Sequence, residues 1–436
     1  MRLVVLIILS FFFSHVFSNE ETFPFSFTLK NGMKVVVIQN KRAPVIAQMI
    51  WYNFGSGIEK TGKSGLAHFM EHLMFKGTRK FPDNYYSNFI SKIGGSENAF
   101  TSYDYTAYYQ VFPKSELKTM MKMEADRMTN LTLTKENVEI EKRVILEERF
   151  QRIESDPSSK LDESMRSILF PNHYYGRPII GWRHEIEGLT YEDVLSFYKE
   201  NYKPNNAILV LSGDVDFETA KKLSKKYFGK IRKGKQESKL KVTDPDLNTN
   251  IFVKMQHSTV KQPIWKKFYR TISYKSDIDN SIALDVGFKI VASGTSSLLY
   301  QNLVEEKKIF SLVGGYFQGL TKGEGNVYLY AISKEKKDSN EIDKIIMNEF
   351  KKIINEKLTS ERFEIEKKKY FFDTIYKKDG VLNPAQIYGE ALTVGLTLDD
   401  INKWQERLNS ISLNDVKKAL EKLYENNNYV IGELSN

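Results

Sequence analysis

No cysteine occurs among the 436 residues. Disulfides are therefore excluded, and so are thiolate metal ligands, which leaves imidazole and carboxylate for any such work. Histidine is scarce as well, six in all, so any clustering of it carries information. Long basic blocks are missing: the net charge of +9 comes from scattered lysines. Nucleic acid is not implied by that pattern, and a mild preference for acidic peptides is the most it suggests. No stretch is long and apolar enough to span a bilayer comfortably; a helix would need about 20 such residues. The apolar start, Met1 to Phe13 with one arginine, then Ser14 to Ser18, reads as a secretory signal peptide cut after Ser18. Export to the periplasm or the medium is the expectation, with no stable membrane span after cleavage.

What remains is too long for one ordinary core and predicts at least two domains. Two of the six histidines lie four positions apart in Ser64-Gly-Leu-Ala-His-Phe-Met-Glu-His-Leu-Met-Phe75. On a helix, His68, Glu71 and His72 share one face. The order H-x-x-E-H inverts the commoner H-E-x-x-H signature: two imidazoles hold zinc and the carboxylate takes a proton from water activated there. Ser64 is the expected cap of this helix. Catalytic zinc takes a third protein ligand, which must come from elsewhere in the chain. In Thr134 to Phe150, the apolar residues Val138, Val144, Ile145 and Phe150 recur at helical intervals. Glu141, Ile145 and Glu148 fall on one face of that helix. Spacing alone leaves open whether these acids are ligands or an ordinary solvated face.

His68-Phe-Met-Glu71-His72, followed by Glu141-Lys-Arg-Val-Ile-Leu-Glu-Glu148, resembles the pitrilysin family of zinc peptidases. The likeness is to its half-size members, similar to the mitochondrial processing peptidase β subunit and to bacterial periplasmic homologues. The resemblance implies one Zn²⁺ held by His68, His72 and Glu148, with Glu71 as general base. It also implies Glu141 as the acid supporting a ligating histidine, a kind of partner such ligands usually need, with Glu147 pointing away. Ile93 to Phe112 reads as a glycine turn and strand, and resembles the family's edge strand beside the zinc. Asn98, Ala99, Phe100 and Thr101 would there pair with a substrate backbone largely regardless of its sequence.

Elsewhere, Asn31-Gly32 predicts a hairpin between Phe25–Lys30 and Met33–Ile38, and Val45 to Phe54 a further strand. Leu117, Met120, Met121, Met123 and Met128 form a helical stripe read as core filling. His173 and His184 lack partners at ligand spacing and read as structural. Leu189 to Tyr198 predicts a capped amphipathic helix, and Asn205 to Asp214 a buried strand. A charged, aromatic-free stretch suggests a linker at 233–250.

Leu189-Thr190, Asp193-Val194, Tyr202 and Asn206 recur 222 positions later as Ile411-Ser412, Asp415-Val416, Tyr424 and Asn428. That suggests an internal repeat. The expected fold is α+β: two homologous domains, each a mainly antiparallel sheet packed with helices, facing each other across a chamber. The expected boundaries are 19–232 for the zinc-binding domain and 251–436 for a second domain. No histidine follows His257, so the second domain lacks a zinc site. It also departs from the family where active members carry an arginine and a tyrosine that approach substrate. Val304 stands at the arginine position, and Phe310 or Ser311 at the tyrosine position. The expectation is a zinc endopeptidase acting on short or unfolded chains, as the zinc-bearing subunit of a heterodimer whose related partner supplies the missing pair. The competing expectation is a non-catalytic peptide-binding or assembly subunit. A hydrolase of non-peptide substrates ranks third.

Overall fold

Around Asn31-Gly32 the expected hairpin forms: β1 (Phe25–Thr28) pairs antiparallel with β2 (Lys34–Gln39), Phe25 opposite Val37. The computed structural model describes residues 24–235 and 242–436. The leader expected at 1–18 lies outside the described residues, as does part of the stretch read as a linker. β3 (Val45–Tyr52), β4 (Ser96–Thr101), β5 (Thr106–Pro113) and β6 (Ala207–Gly213) complete a six-stranded sheet of order β1-β2-β6-β3-β5-β4. β3 ends at Tyr52, two residues short of the expected strand. Its side chains are buried on both faces, because helices cover the sheet from two sides.

β7 (Ile251–Gln256), β8 (Ile264–Thr271), β9 (Phe310–Gln318), β10 (Gly325–Ser333) and β11 (Tyr429–Ser435) make a second sheet of order β7-β11-β8-β10-β9. With β1 set aside, the two sheets have the same plan. β2 runs parallel to β6 as β7 does to β11, and every other neighbour is antiparallel. The motif repeat maps onto this plan. Thr190 and Asp193 form a reciprocal capping box on helix Tyr191–Asn201, ahead of β6; Ser412 and Asp415 form its counterpart on Leu413–Tyr424, ahead of β11.

The first half carries α1 (Leu66–Leu73), α2 (Tyr85–Lys92), α3 (Leu117–Asn130), α4 (Lys135–Arg149) and α5 (Pro157–Leu169). Met120, Met121, Met123 and Met128 on α3 are buried core, as their spacing predicts. Beneath them Arg127 pairs with Glu124 at 2.5 Å, both buried, with the guanidinium 4.7 Å from the Tyr86 ring centre and 4.8 Å from that of Tyr108.

Each half lends a helix to the other's sheet. α5 packs on β11, where Gly432 meets the Met165 sulfur; a Cβ there would lie 2.2 Å from it. Helix Leu382–Val394 of the second half packs on β3 and β6, where a Cβ on Gly389 would lie 2.0 Å from the buried Trp51 indole nitrogen. Only glycine permits these approaches. The crossed helices join the halves and leave a cleft of about 1570 Å³ between the α1 side of the first sheet and one face of the second.

Candidate metal centre

α1 is built around its buried face: Leu66, Ala67, Phe69, Met70 and Leu73 enter the first core, while His68 and His72 turn toward α4. Its start is capped otherwise than expected. Ser64 is not the N-cap; its hydroxyl accepts the Trp182 N–H at 2.9 Å. The buried carboxylate of Glu59 instead accepts the N–H groups of Gly65 (2.9 Å) and Ala67 (2.7 Å), reaching both from seven residues before the first residue of the helix. Burial pushes Glu59 up to about 8, against the pull of those two hydrogen bonds.

α4 begins at Thr134, whose hydroxyl accepts the Asn137 N–H. Val138 and Ile145 are fully buried, and the same face carries Glu141 and Glu148. Val144 and Phe150 depart from the expected core stripe: each is about half exposed, and Val144 lines the cleft. Glu147 is exposed and outside the ligand cluster but lines the cleft, with one oxygen accepting from Gln151. The C-terminal end of α4 is locked by Arg149, whose two terminal nitrogens fork onto both Glu163 oxygens at 2.8 and 2.9 Å.

Residues 76 positions apart thus meet. Glu148 Oε2 lies 3.6 Å from His68 Nε2 and 3.4 Å from His72 Nε2. It is buried and has no hydrogen-bond partner. One donor atom from each of the three residues lies within 4.8 Å of the others, and this is the cluster of metal-binding type found among the described residues. Donors about 2.1 Å from a tetrahedral ion stand about 3.4 Å apart, so the Glu148–histidine spacings fit zinc, as does the two-nitrogen, one-oxygen set. His72 Nδ1 meets Glu141 Oε1 at 2.8 Å, which turns Nε2 toward the cluster, and Lys76 holds the other Glu141 oxygen at 2.9 Å. Burial, with positive neighbours His72 and Arg152, pushes His68 down to about 3, so its imidazole is held neutral, as a ligand must be. Burial opposes charge on His72 too, but the bond to Glu141 and the nearby carboxylates outweigh it and raise that pKa.

Glu71, the acid of the motif, receives the Thr101 hydroxyl at 2.5 Å on Oε2. Burial raises its pKa, partly countered by that bond. Thr101 closes β4, which is the edge of its sheet, as the sequence suggested. Asn98, Ala99, Phe100 and Thr101 all line the cleft with the histidines, although Phe100 also packs edge-on against Trp51. His173 accepts the Tyr175 N–H and His184 is exposed; neither joins the cluster.

The facing wall is made by β8, β9 and β10. Phe268, Tyr316, Tyr328 and Tyr330 form it, with Tyr316 stacked on Tyr328 at 4.8 Å. Val304 packs against the second core, Phe310 is fully buried, and Ser311 pairs with Gln262; none of the three lines the cleft. The tyrosine wall escaped the sequence reading. Its signal was there in the period-2 alternation Tyr328, Tyr330, Ile332, but alternation does not say which face meets the other half.

Residues 34–182 match the family model described as Insulinase (Peptidase family M16), and 188–370 match the one described as Peptidase M16 inactive domain. The chain belongs to the M16 peptidase family. The M16 chain is 29% identical to the zinc protease PqqE of Helicobacter pylori, over 71% of this chain and 72% of that protein. It is 31% identical to the probable mitochondrial-processing peptidase subunit beta of Schizosaccharomyces pombe, over 49% of this chain and 46% of that one. A crystal structure of a protease from Helicobacter pylori shares the fold with a TM-score of 0.89 at 24% identity, covering 95% of this chain and 99% of that one. Zinc-protease relatives and the donor set agree on the metal the site suits. No helix among the described residues is long and apolar enough to cross a membrane.

Proposed function

We propose that the protein is a zinc-dependent endopeptidase of short or unfolded polypeptides, exported to the periplasm or the medium. The convergence of His68, His72 and Glu148 beside Glu71 carries this reading. Zinc bound by those three residues would supply Lewis-acid activation of water and of the scissile carbonyl. Glu71 takes the proton of the attacking water and delivers it to the leaving amine. Thr101 anchors one Glu71 oxygen and leaves the other for that transfer, and burial suits the carboxyl to hold a proton in mid-reaction. Glu141 keeps His72 in the orientation that presents Nε2. The β4 edge holds substrate backbone by added-strand hydrogen bonds, and enclosure between the halves restricts entry to chains without stable structure. Glu71→Gln keeps the metal and lowers turnover by about 10²–10⁴. Metal content and cleavage of a quenched, unstructured peptide check this, and undiminished turnover excludes Glu71 as the base.

The zinc-bearing chain acts with a homologous partner that supplies the arginine and tyrosine absent at Val304 and Phe310 or Ser311. The positions of those three residues, turned away from the cleft, favour this arrangement. Adding such a partner raises activity steeply; a lone chain already at full activity refutes the heterodimer. A second reading, a peptide-binding or assembly subunit without catalysis, draws on the same missing pair. Zinc bound without peptide cleavage, with or without a partner, establishes it.

A further inference from the structure

We propose that Arg152 is a positioning residue for the metal ligand Glu148, holding the carboxylate so that one oxygen faces the ion and the other is kept from it. This rests on the metal reading above. The two oxygens of Glu148 have different surroundings. Oε2 is buried, has no hydrogen-bond partner and faces both imidazoles; Oε1 meets Arg152 Nη2 at 3.0 Å. A free carboxylate can chelate with both oxygens and so consume a coordination position. A catalytic site needs that position open. A guanidinium ion-paired with one oxygen at 3.0 Å opposes such chelation, because turning that oxygen to the metal would break the pair.

Backbone geometry puts Arg152 in place. α4 does not stop cleanly at Arg149 but runs into a widened turn, Phe150–Glu154, where the Ser155 N–H reaches the Phe150 carbonyl five residues back at 2.8 Å. Widened turns of this kind occur frequently at functional sites. This one is braced from two sides: buried Arg149 forks onto Glu163 and donates to the Gly181 carbonyl, and at the surface Glu154 receives Arg183 at 2.6 Å. The turn is thereby fixed while the Arg152 side chain stays 71% exposed at the cleft. An exposed pair four residues apart on a helix ordinarily contributes little. This pair differs because the second oxygen of its carboxylate belongs to the ligand cluster.

The test uses the full chain loaded with zinc or with cobalt(II), comparing Arg152→Ala and Arg152→Lys with the native protein. In Arg152→Ala, one equivalent of metal is retained and competes with a chelator at least as well as in the native chain. The visible cobalt bands weaken as the freed oxygen adds to the ion, and kcat falls about 10–100-fold with KM little changed. Arg152→Lys restores most of the native spectrum and kcat. An unchanged cobalt spectrum and kcat in Arg152→Ala overturn the proposal, and so does loss of metal together with a lowered melting temperature, which marks a merely structural role. If the native chain holds cobalt but cleaves no peptide, alone or with a homologous partner, the peptidase reading fails while the spectra still decide the role of Arg152. If it holds neither metal, both fall together.

Discussion

The helix that follows β3 and the helix that follows β8 occupy the same place in two copies of one plan, yet they do different work. α1 presents two imidazoles and a carboxylate to a cleft. Its counterpart, Ile278–Val291, is packed with Ile282, Ala283, Leu284, Val286 and Phe288. Its buried acid, Asp285, faces inward to the hydroxyls of Tyr274 and Tyr370, with burial raising its pKa. Apart from the extra strand β1, strand order, capping boxes and the exchange of a helix recur in both halves. The scaffold therefore tolerates either a polar or an apolar helix at this place, and the capacity for chemistry comes from three side chains and the cleft they face, not from the topology.

The largest expected effect breaks the two helices apart functionally. His72→Ala removes a ligand and abolishes both stoichiometric zinc and peptide cleavage, while Asp285→Asn, at the matching helix, leaves both intact. Metal analysis and a peptide assay on the two variants check this. Next in size is a contrast of ion pairs. Arg127→Met strands the fully buried Glu124 and costs about 3–5 kcal/mol by denaturant unfolding. Lys307→Met in the second half, where Lys307 is 46% exposed beside Glu349, costs clearly less.

Glu141→Gln weakens the hold on His72 and lowers zinc affinity about 10–100-fold in chelator competition. No substitution in the second half has that effect. The smallest expected effect sharpens the likeness. Thr190→Ala and Ser412→Ala each remove a capping box ahead of an equivalent strand, and each costs about 0.5–2 kcal/mol. Similar losses in thermal unfolding mark the two helices as counterparts; a markedly unequal pair breaks the correspondence.

Much of this was legible in local pattern. The Asn31-Gly32 hairpin, the methionine stripe of α3 and the 222-residue echo of the capping boxes are short-range signals, and short-range chemistry decides them. Helical spacing also placed His68, Glu71 and His72 on one face, and Glu141 and Glu148 on another. Less legible was anything that depends on a distant neighbour. Ser64 had the residue type of a cap, but Glu59 took that role because the chain folds it under the start of α1. Val144 and Phe150 had core spacing but are about half exposed, Val144 beside a cleft that only the second half encloses.

The sequence by itself determined the ligand chemistry: without cysteine and with few histidines, a metal site had to be imidazole and carboxylate, and one helical turn decided which imidazoles pair. Tertiary structure alone decided that Glu148 turns one oxygen to those imidazoles and the other to Arg152, and that tyrosines face the site. The reason is physical: helix period sets which side chains share a face, but which faces meet depends on how whole elements bury their apolar surface together.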